Sequence, residues 1–315
     1  MPLNLAGLKI GHATNTEFHT GCTVVLCPSG TVGSVDVRGP APGSREFALL
    51  GPDKPYEKEI HAVVLTGGSA FGLATADGVM RYLFEHDIGH QTPIMRVPIV
   101  PAAVVFDLGF GRGQLLPDAA MGYAACEAAN SGEPILQGNV GAGAGVTIGK
   151  WCGFDGLMKG GVGVANCKEG DLEVTAVAVV NAIGDIVNED GSVLAGSRNG
   201  NGGWSVEQYP QRYKAFEPPL TDGMHTTLVV VATNARLSKT ETNRLASRAH
   251  DGLAIAVRPA HMRHDGDTIF ALSTGRIEVD NDLVSNLAVL MTAEAIRNGV
   301  RHAVSVGSVP GLADK

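Results

Sequence analysis

Two aspartates separated by one glycine, Asp265-Gly266-Asp267, are the residues of this chain best spaced to handle protons. In extended backbone, positions i and i+2 share a face. The two carboxylates therefore repel, one is driven toward its neutral form, and a proton-sharing pair becomes available. Upstream, Thr226 stands at the head of the most apolar run in the chain, T-L-V-V-V-A at 227–232. It comes shortly after the polar, glycine- and proline-rich stretch 188–222, the one long loop expected here. A loop that delivers a small hydroxyl residue to the start of a buried strand suits a nucleophile that the chain exposes by cutting itself. The freed α-amine, with a reference pKa of ~7.7–8.0, then acts as general base for the hydroxyl beside it.

Other constellations carry less. His261-x-x-His264-Asp265-x-Asp267 has ligand types for zinc or a harder ion, but it lacks the partner ligands of a metal motif. Its histidines read as solvent-exposed loop residues, and no metal is expected. Gly141-Ala142-Gly143-Ala144-Gly145 is G-x-G-x-G rather than a dinucleotide fingerprint, and 145–150 misses the phosphate-loop spacing. The glycines at 67–72 follow a strand and precede a helix, a place where N–H groups could meet an anion or a carbonyl oxygen. A tight turn accounts for them first. No cofactor is expected.

The elements that must position Thr226 and the aspartates follow from periodicity. Strands are expected at 22–26, 61–66, 173–180, 227–232 and 268–273. Ser69 is read as the N-cap of a helix on which Leu73, Ala76, Val79, Met80, Leu83 and Phe84 recur at helical spacing and which ends near 86–89. Ser238-Lys239-Thr240-Glu241 is a capping box opening a helix with Leu245, Ala249, Leu253 and Ala256 inward. A last helix at 282–298 places Leu283, Leu287, Leu290 and Met291 on one face. Mixed strands and helices without a fixed repeat indicate a single α/β domain over 1–315.

Composition narrows the function classes. The 315 residues include 44% hydrophobic and 18% charged residues, which excludes a disordered chain. Glycine, at 42 residues, is about twice its usual ~7% share, and aromatics are only 5%, so closely approaching backbones and an aliphatic core are expected. With 24 Lys and Arg against 32 Asp and Glu, and no basic run, nucleic acid is not an expected partner. No apolar run approaches the ~20 residues of a membrane span, and no secretory signal is visible at the N-terminus. The five cysteines lack C-x-x-C spacing and read as reduced, mostly buried thiols of a cytoplasmic protein.

Six segments carry a resemblance that spans almost the whole chain. They are H-A-V-V-L-T-G-G-S-A-F-G-L at 61–73, V-P-I-V-P-A-A-V-V-F-D at 97–107, K-G-G-V-G at 159–163, V-N-A-I-G-D at 180–185, T-T-L-V-V-V-A-T-N at 226–234 and D-G-D-T-I-F-A-L-S-T-G at 265–275. The sequence resembles the DmpA-type L-aminopeptidase/D-esterase family, peptidase family S58, which includes β-aminopeptidases and nylon-oligomer hydrolases. The resemblance implies a four-layer αββα sandwich, self-cleavage into chains 1–225 and 226–315, and homo-oligomers, commonly tetramers. It implies an aminopeptidase or amidase acting on small peptides or amides. Thr226 matches the nucleophile, which is Thr in the nylon-hydrolase branch and Ser in many aminopeptidases. Asp265 and Asp267 match the pair that positions the nucleophile and its amine, Asn181 the oxyanion asparagine, and Lys159 the active-site lysine, with Lys150 as second choice. His225 stands where the family usually has Asn or Gly. An acyltransferase of the ornithine-acetyltransferase type shares the self-cleaving Thr logic, and an uncleaved binding protein on the same fold is the alternative outside enzymes.

Overall fold

Runs of β-branched residues buried on both faces need cover on both sides, and two stacked sheets flanked by helices supply it. The computed structural model describes residues 5–54, 59–111, 113–208, 210 and 224–314. Two five-stranded sheets are built from β1 (Lys9–Asn15), β2 (Thr20–Leu26), β3 (Val32–Val37), β4 (Ser44–Arg45), β5 (Ala62–Thr66), β6 (Ala102–Val104), β7 (Val162–Glu169), β8 (Leu172–Asn181), β9 (Thr226–Ala235) and β10 (Thr268–Ile277). The first sheet has the order β1-β2-β5-β6-β4 and the second β7-β8-β9-β10-β3. The main helices are α1 (Thr75–Glu85), α2 (Ala119–Asn130), α3 (Lys239–Ala256) and α4 (Asn281–Arg301).

Three apolar layers hold the stack together, so the architecture is the four-layer αββα sandwich. Between the sheets, Val25, Val63 and Leu65 meet Val177, Val179, Leu228, Val230 and Phe270. The alternate residues of the same strands point outward. Val24 and Val64 pack under Val79, Leu83, Ala125 and Cys126 of α1 and α2. Val229, Val231 and Ala271 pack under Leu245, Ala249, Leu253, Ala288 and Ile296 of α3 and α4. Among the described residues, no helix is long and apolar enough to cross a membrane.

Several local expectations hold and several change. The capping box forms, with Ser238 accepting from Glu241 N–H and Glu241 reaching back to Ser238 N–H. Ser69 is not a helix cap. It opens a 3₁₀ segment, Ser69–Ala74, and α1 begins at Thr75 without a side-chain cap. Phe84 is largely exposed. The leucine face of α4 lies at the edge of its buried face: Val284, Ala288, Ala295 and Ile296 are buried, Leu287 and Met291 are partly buried against the core, and Leu283 and Leu290 are exposed. Close approach decides this. A Cβ on Gly163 of β7 would lie 2.0 Å from Ala295 O and 2.2 Å from Gly299 N, so only small residues fit at this contact. The stretch 188–222 is not one uninterrupted loop. Val193–Ala195 pairs with Asp185–Val187, Ser205–Gln208 is a helical turn, and 209 with 211–223 lies outside the described residues.

The glycine-rich loop at 138–149 is packed into the fold. Its Gly141 and Ala142 N–H groups donate to the hydroxyls of Thr14 and Thr23. In the 67–72 turn, Gly68 N–H donates to Asp107 and Ser69 N–H to Val105 O. These amides are spent on internal acceptors.

Topology sets up the site. β9 is central, antiparallel to β8 with Asn181 opposite Thr226, and parallel to β10 with Leu228 opposite Thr268. That parallel register carries the residues just before β10 alongside the head of β9, and His225 bridges Asp265 there.

Candidate active site

Thr226 is the first residue of β9 and only 4% exposed. Its Oγ1 donates to the carbonyl oxygen of the preceding residue, His225, at 2.5 Å. The same carbonyl accepts from Gly266 N–H at 2.9 Å. The peptide bond between residues 225 and 226 is thus held with its oxygen under two donors and with the Thr226 hydroxyl folded back onto it.

The two aspartates are buried together but spend their oxygens differently. Asp267 Oδ1 accepts from Thr227 N–H at 2.7 Å, tying the pair to the head of β9. Asp267 Oδ2 meets His261 Nδ1 at 2.8 Å and accepts from His261 N–H at 3.2 Å. Asp265 Oδ2 accepts from Met262 N–H at 2.7 Å, while its Oδ1 is buried without a hydrogen-bond partner. Burial and then the neighbouring Asp267 raise the Asp265 pKa well above the ordinary carboxylate range, against the opposing pull of Met262 N–H and Lys150. The environments of the two carboxyls are therefore driven apart. The histidines of this segment are half-buried and engaged, His261 with Asp267 and His264 with Arg263 at 2.7 Å. Among the described residues, no three His, Cys, Asp or Glu side chains gather as a metal site.

Asn181, across the ladder from Thr226, is a junction. Its Nδ2 donates to Met224 O at 3.0 Å and to Phe106 O at 3.2 Å. Its Oδ1 accepts from Thr147 N–H at 3.1 Å and from Lys150 Nζ at 2.8 Å, and Lys150 also donates to Asn181 O at 3.0 Å. Burial pushes the Lys150 amine down to about 7. Its charge acts on Asp265, and burial, followed by the charges of Lys150 and His264, depresses the His225 pKa to about 3. A neutral lysine has two N–H bonds and one lone pair. In that neutral form both donors fall on Asn181.

The structure brings Thr226, Asn181, Asp265 and Asp267 together. It does not hydrogen-bond Lys159 to any of them. Lys159 Nζ donates to Ala144 O at 2.9 Å and Val146 O at 2.8 Å, and it sits 4.5 Å over the Phe110 ring. Its amine is also pushed down to about 7 by burial. Lys150 is the lysine on Asn181, and the Gly266 N–H is a site group that no side-chain pattern points to.

A cavity of about 260 Å³ adjoins Lys150, walled by Phe106, Phe110, Phe154, Leu157 and Met224. Its surface is mainly apolar, and Phe106 and Met224 supply the carbonyls that hold Asn181. A larger cavity of about 740 Å³ lies beside the start of β5, lined by residues including Glu59, His61, Tyr82 and Arg96, and contains none of the cluster.

Comparison with known proteins identifies the family. The model described as Peptidase family S58 matches residues 3–312. An uncharacterized aminopeptidase of Mycobacterium leprae is 40% identical over 302 residues, 87% of this chain and 78% of its own length. The 6-aminohexanoate-oligomer endohydrolase of Paenarthrobacter ureafaciens is 34% identical over 276 residues, 87% of this chain and 74% of its own. Among solved structures, the L-aminopeptidase D-Ala-esterase/amidase of Ochrobactrum anthropi, described as a variant of the Ntn-hydrolase fold, has TM-score 0.72 and 20% identity over 97% of this chain and 87% of that one. That last likeness is one of fold.

Proposed function

The chain belongs to peptidase family S58 and is an amide-bond hydrolase, and on that premise we propose that it is of the Ntn type, with Thr226 as its nucleophile, released by scission of the His225–Thr226 bond. The observation that carries this reading is the 2.5 Å contact between Thr226 Oγ1 and the carbonyl of the bond to be cut. In the intact chain, Oγ attacks that carbonyl carbon, the C–N bond breaks, and the nitrogen becomes the α-amine of Thr226. Water then hydrolyses the resulting ester, leaving chains 1–225 and 226–315. In the intact chain no α-amine is available, and we propose Lys150, held on Asn181 across the ladder from Thr226 and neutral above about pH 7, as the group that accepts the hydroxyl proton once the hydroxyl turns from the His225 oxygen to its carbon.

In the mature protein the α-amine becomes the base for its own hydroxyl. Asp267, already hydrogen-bonded to the head of β9, balances the amine when it is protonated. Asn181 loses an acceptor when residue 224 moves away, and its Nδ2 is then free to donate to a substrate carbonyl. The role that the resemblance implies for Lys159 passes to Lys150, and Lys159 supports the loop at 144–146. The cavity beside Lys150 suits the apolar part of a small peptide or linear amide. Relatives named as an aminopeptidase and as an oligomer endohydrolase support both substrate shapes. We further propose a cytoplasmic homo-oligomer, a tetramer in the simplest case, associating through the outer helix layer where Ile255, Leu283 and Leu290 are exposed.

The test is Thr226→Ala beside Thr226→Ser. Alanine is expected to abolish scission and hydrolysis in a folded protein, and serine to retain part of both. Wild-type turnover by a folded Thr226→Ala protein would exclude Thr226 as nucleophile. Release of free acid in water, with no need for an amine acceptor, distinguishes hydrolysis from acyl transfer.

A further inference from the structure

We infer that the backbone N–H of Gly266 is the oxyanion donor for maturation, and that position 266 is glycine so that the Thr226 hydroxyl can remain on the scissile carbonyl. The inference rests on the self-processing reading above. Two groups donate to His225 O, the Thr226 hydroxyl at 2.5 Å and Gly266 N–H at 2.9 Å. Asn181 Nδ2 is occupied elsewhere in the intact chain, on Phe106 O and Met224 O. When Oγ bonds to the His225 carbonyl carbon, the carbonyl electron pair moves onto oxygen. Collapse of that intermediate expels the Thr226 nitrogen, which takes up the proton that Oγ has lost. The negative charge of this step develops on the atom that Gly266 N–H already faces, so the donor stabilises it without reorganising.

The segment around Gly266 is anchored on both sides. Asp265 O accepts from Ala41 N–H at 3.0 Å, and Asp267 O accepts from Arg38 and Gly39 N–H at 3.1 Å each. Asp267 Oδ1 holds Thr227 N–H at 2.7 Å. Gly266 is not among the glycines with positive φ, so its backbone conformation is open to other residues. Space is what excludes them. A Cβ at 266 would stand 2.7 Å from Thr226 Oγ1 and 3.0 Å from Ala41 O, and would push the hydroxyl off the carbonyl. After scission and departure of residue 225, the same N–H faces the position vacated by the His225 oxygen. It then serves the substrate's carbonyl in turnover, so one amide stabilises two successive oxyanions.

The decisive experiment replaces Gly266 by glycolate in the full-length chain, an amide-to-ester change that deletes this N–H and keeps the shape. Mass spectrometry then follows cleavage between residues 225 and 226. Scission is expected to slow by about 10²–10³-fold, the usual effect of losing one oxyanion donor, with substrate turnover per cleaved chain lowered as well. Gly266→Ala, with circular dichroism matching the parent, is expected to slow scission more than about tenfold by displacing the hydroxyl. A glycolate chain that matures as fast as the unmodified chain overturns this inference alone. An unmodified chain that never cleaves overturns the self-processing reading and this inference with it.

Discussion

The neighbourhoods of Lys150 and Lys159 look alike by depth and differ in what they can do. Both amines are buried and both are pushed down to about 7, chiefly by loss of hydration. Lys150 places its donors on the two oxygens of Asn181, directly across the ladder from Thr226, and its charge reaches Asp265 and His225. Lys159 places its donors on two loop carbonyls, beside a phenylalanine ring and the charge of Asp107. A shifted pKa therefore does not identify a proton acceptor in this molecule. What separates the two lysines is which acceptors consume their N–H bonds, and on that difference the proposed mechanism makes Lys150 the base and Lys159 a support.

That contrast breaks first at Lys150. Lys150→Met is expected to lower the scission rate by about 10²–10⁴-fold, the range of a general base, while the protein still folds, as read by time-resolved mass spectrometry and circular dichroism. Next, Asp267→Asn removes the charge proposed to balance the Thr226 amine. Charge-assisted hydrogen bonds are worth about 1.5–3 kcal/mol, so kcat/KM of fully cleaved enzyme is expected to fall roughly ten- to a hundredfold. Unaltered kcat/KM would leave the pair as a structural turn.

The pH dependence sharpens the same comparison. Lys150 is charged below about 7 and neutral above it, so the precursor's scission rate is expected to fall about tenfold per pH unit below that point and level off above it. Lys150→Met should remove this limb and Lys159→Met should leave it in place. The smallest catalytic effect belongs to Lys159→Met. Gly160 N–H still donates to Val146 O, but Ala144 O loses its lysine donor. Stability is expected to fall by about 1–3 kcal/mol, with turnover per folded molecule within about threefold of wild type. Thermal unfolding and active-site-normalised rates check both halves.

The aspartates and Thr226 were legible because they sit where strands begin, and strands announce themselves by residue type. Once 226–235 and 268–277 are parallel neighbours, the residues just before the second lie beside the head of the first. Which of Lys150 and Lys159 reaches Asn181 was not legible. Both stand next to glycine in the sequence, and only the return of the 147–150 segment to Asn181 distinguishes them. The face of α4 was hidden for a different reason: leucine is more apolar than alanine, but the close contact of Gly163 with the helix backbone selects the small residues. Gly266 N–H carries no side-chain signature, so its role appears only with His225 O in place.

The intact mass of the purified protein, measured under denaturing conditions after prolonged incubation at neutral pH, tests the central claim most directly. Two chains corresponding to residues 1–225 and 226–315 are expected, with Thr226→Ala remaining a single full-length species. A preparation that hydrolyses amides while every molecule remains full length would contradict the account.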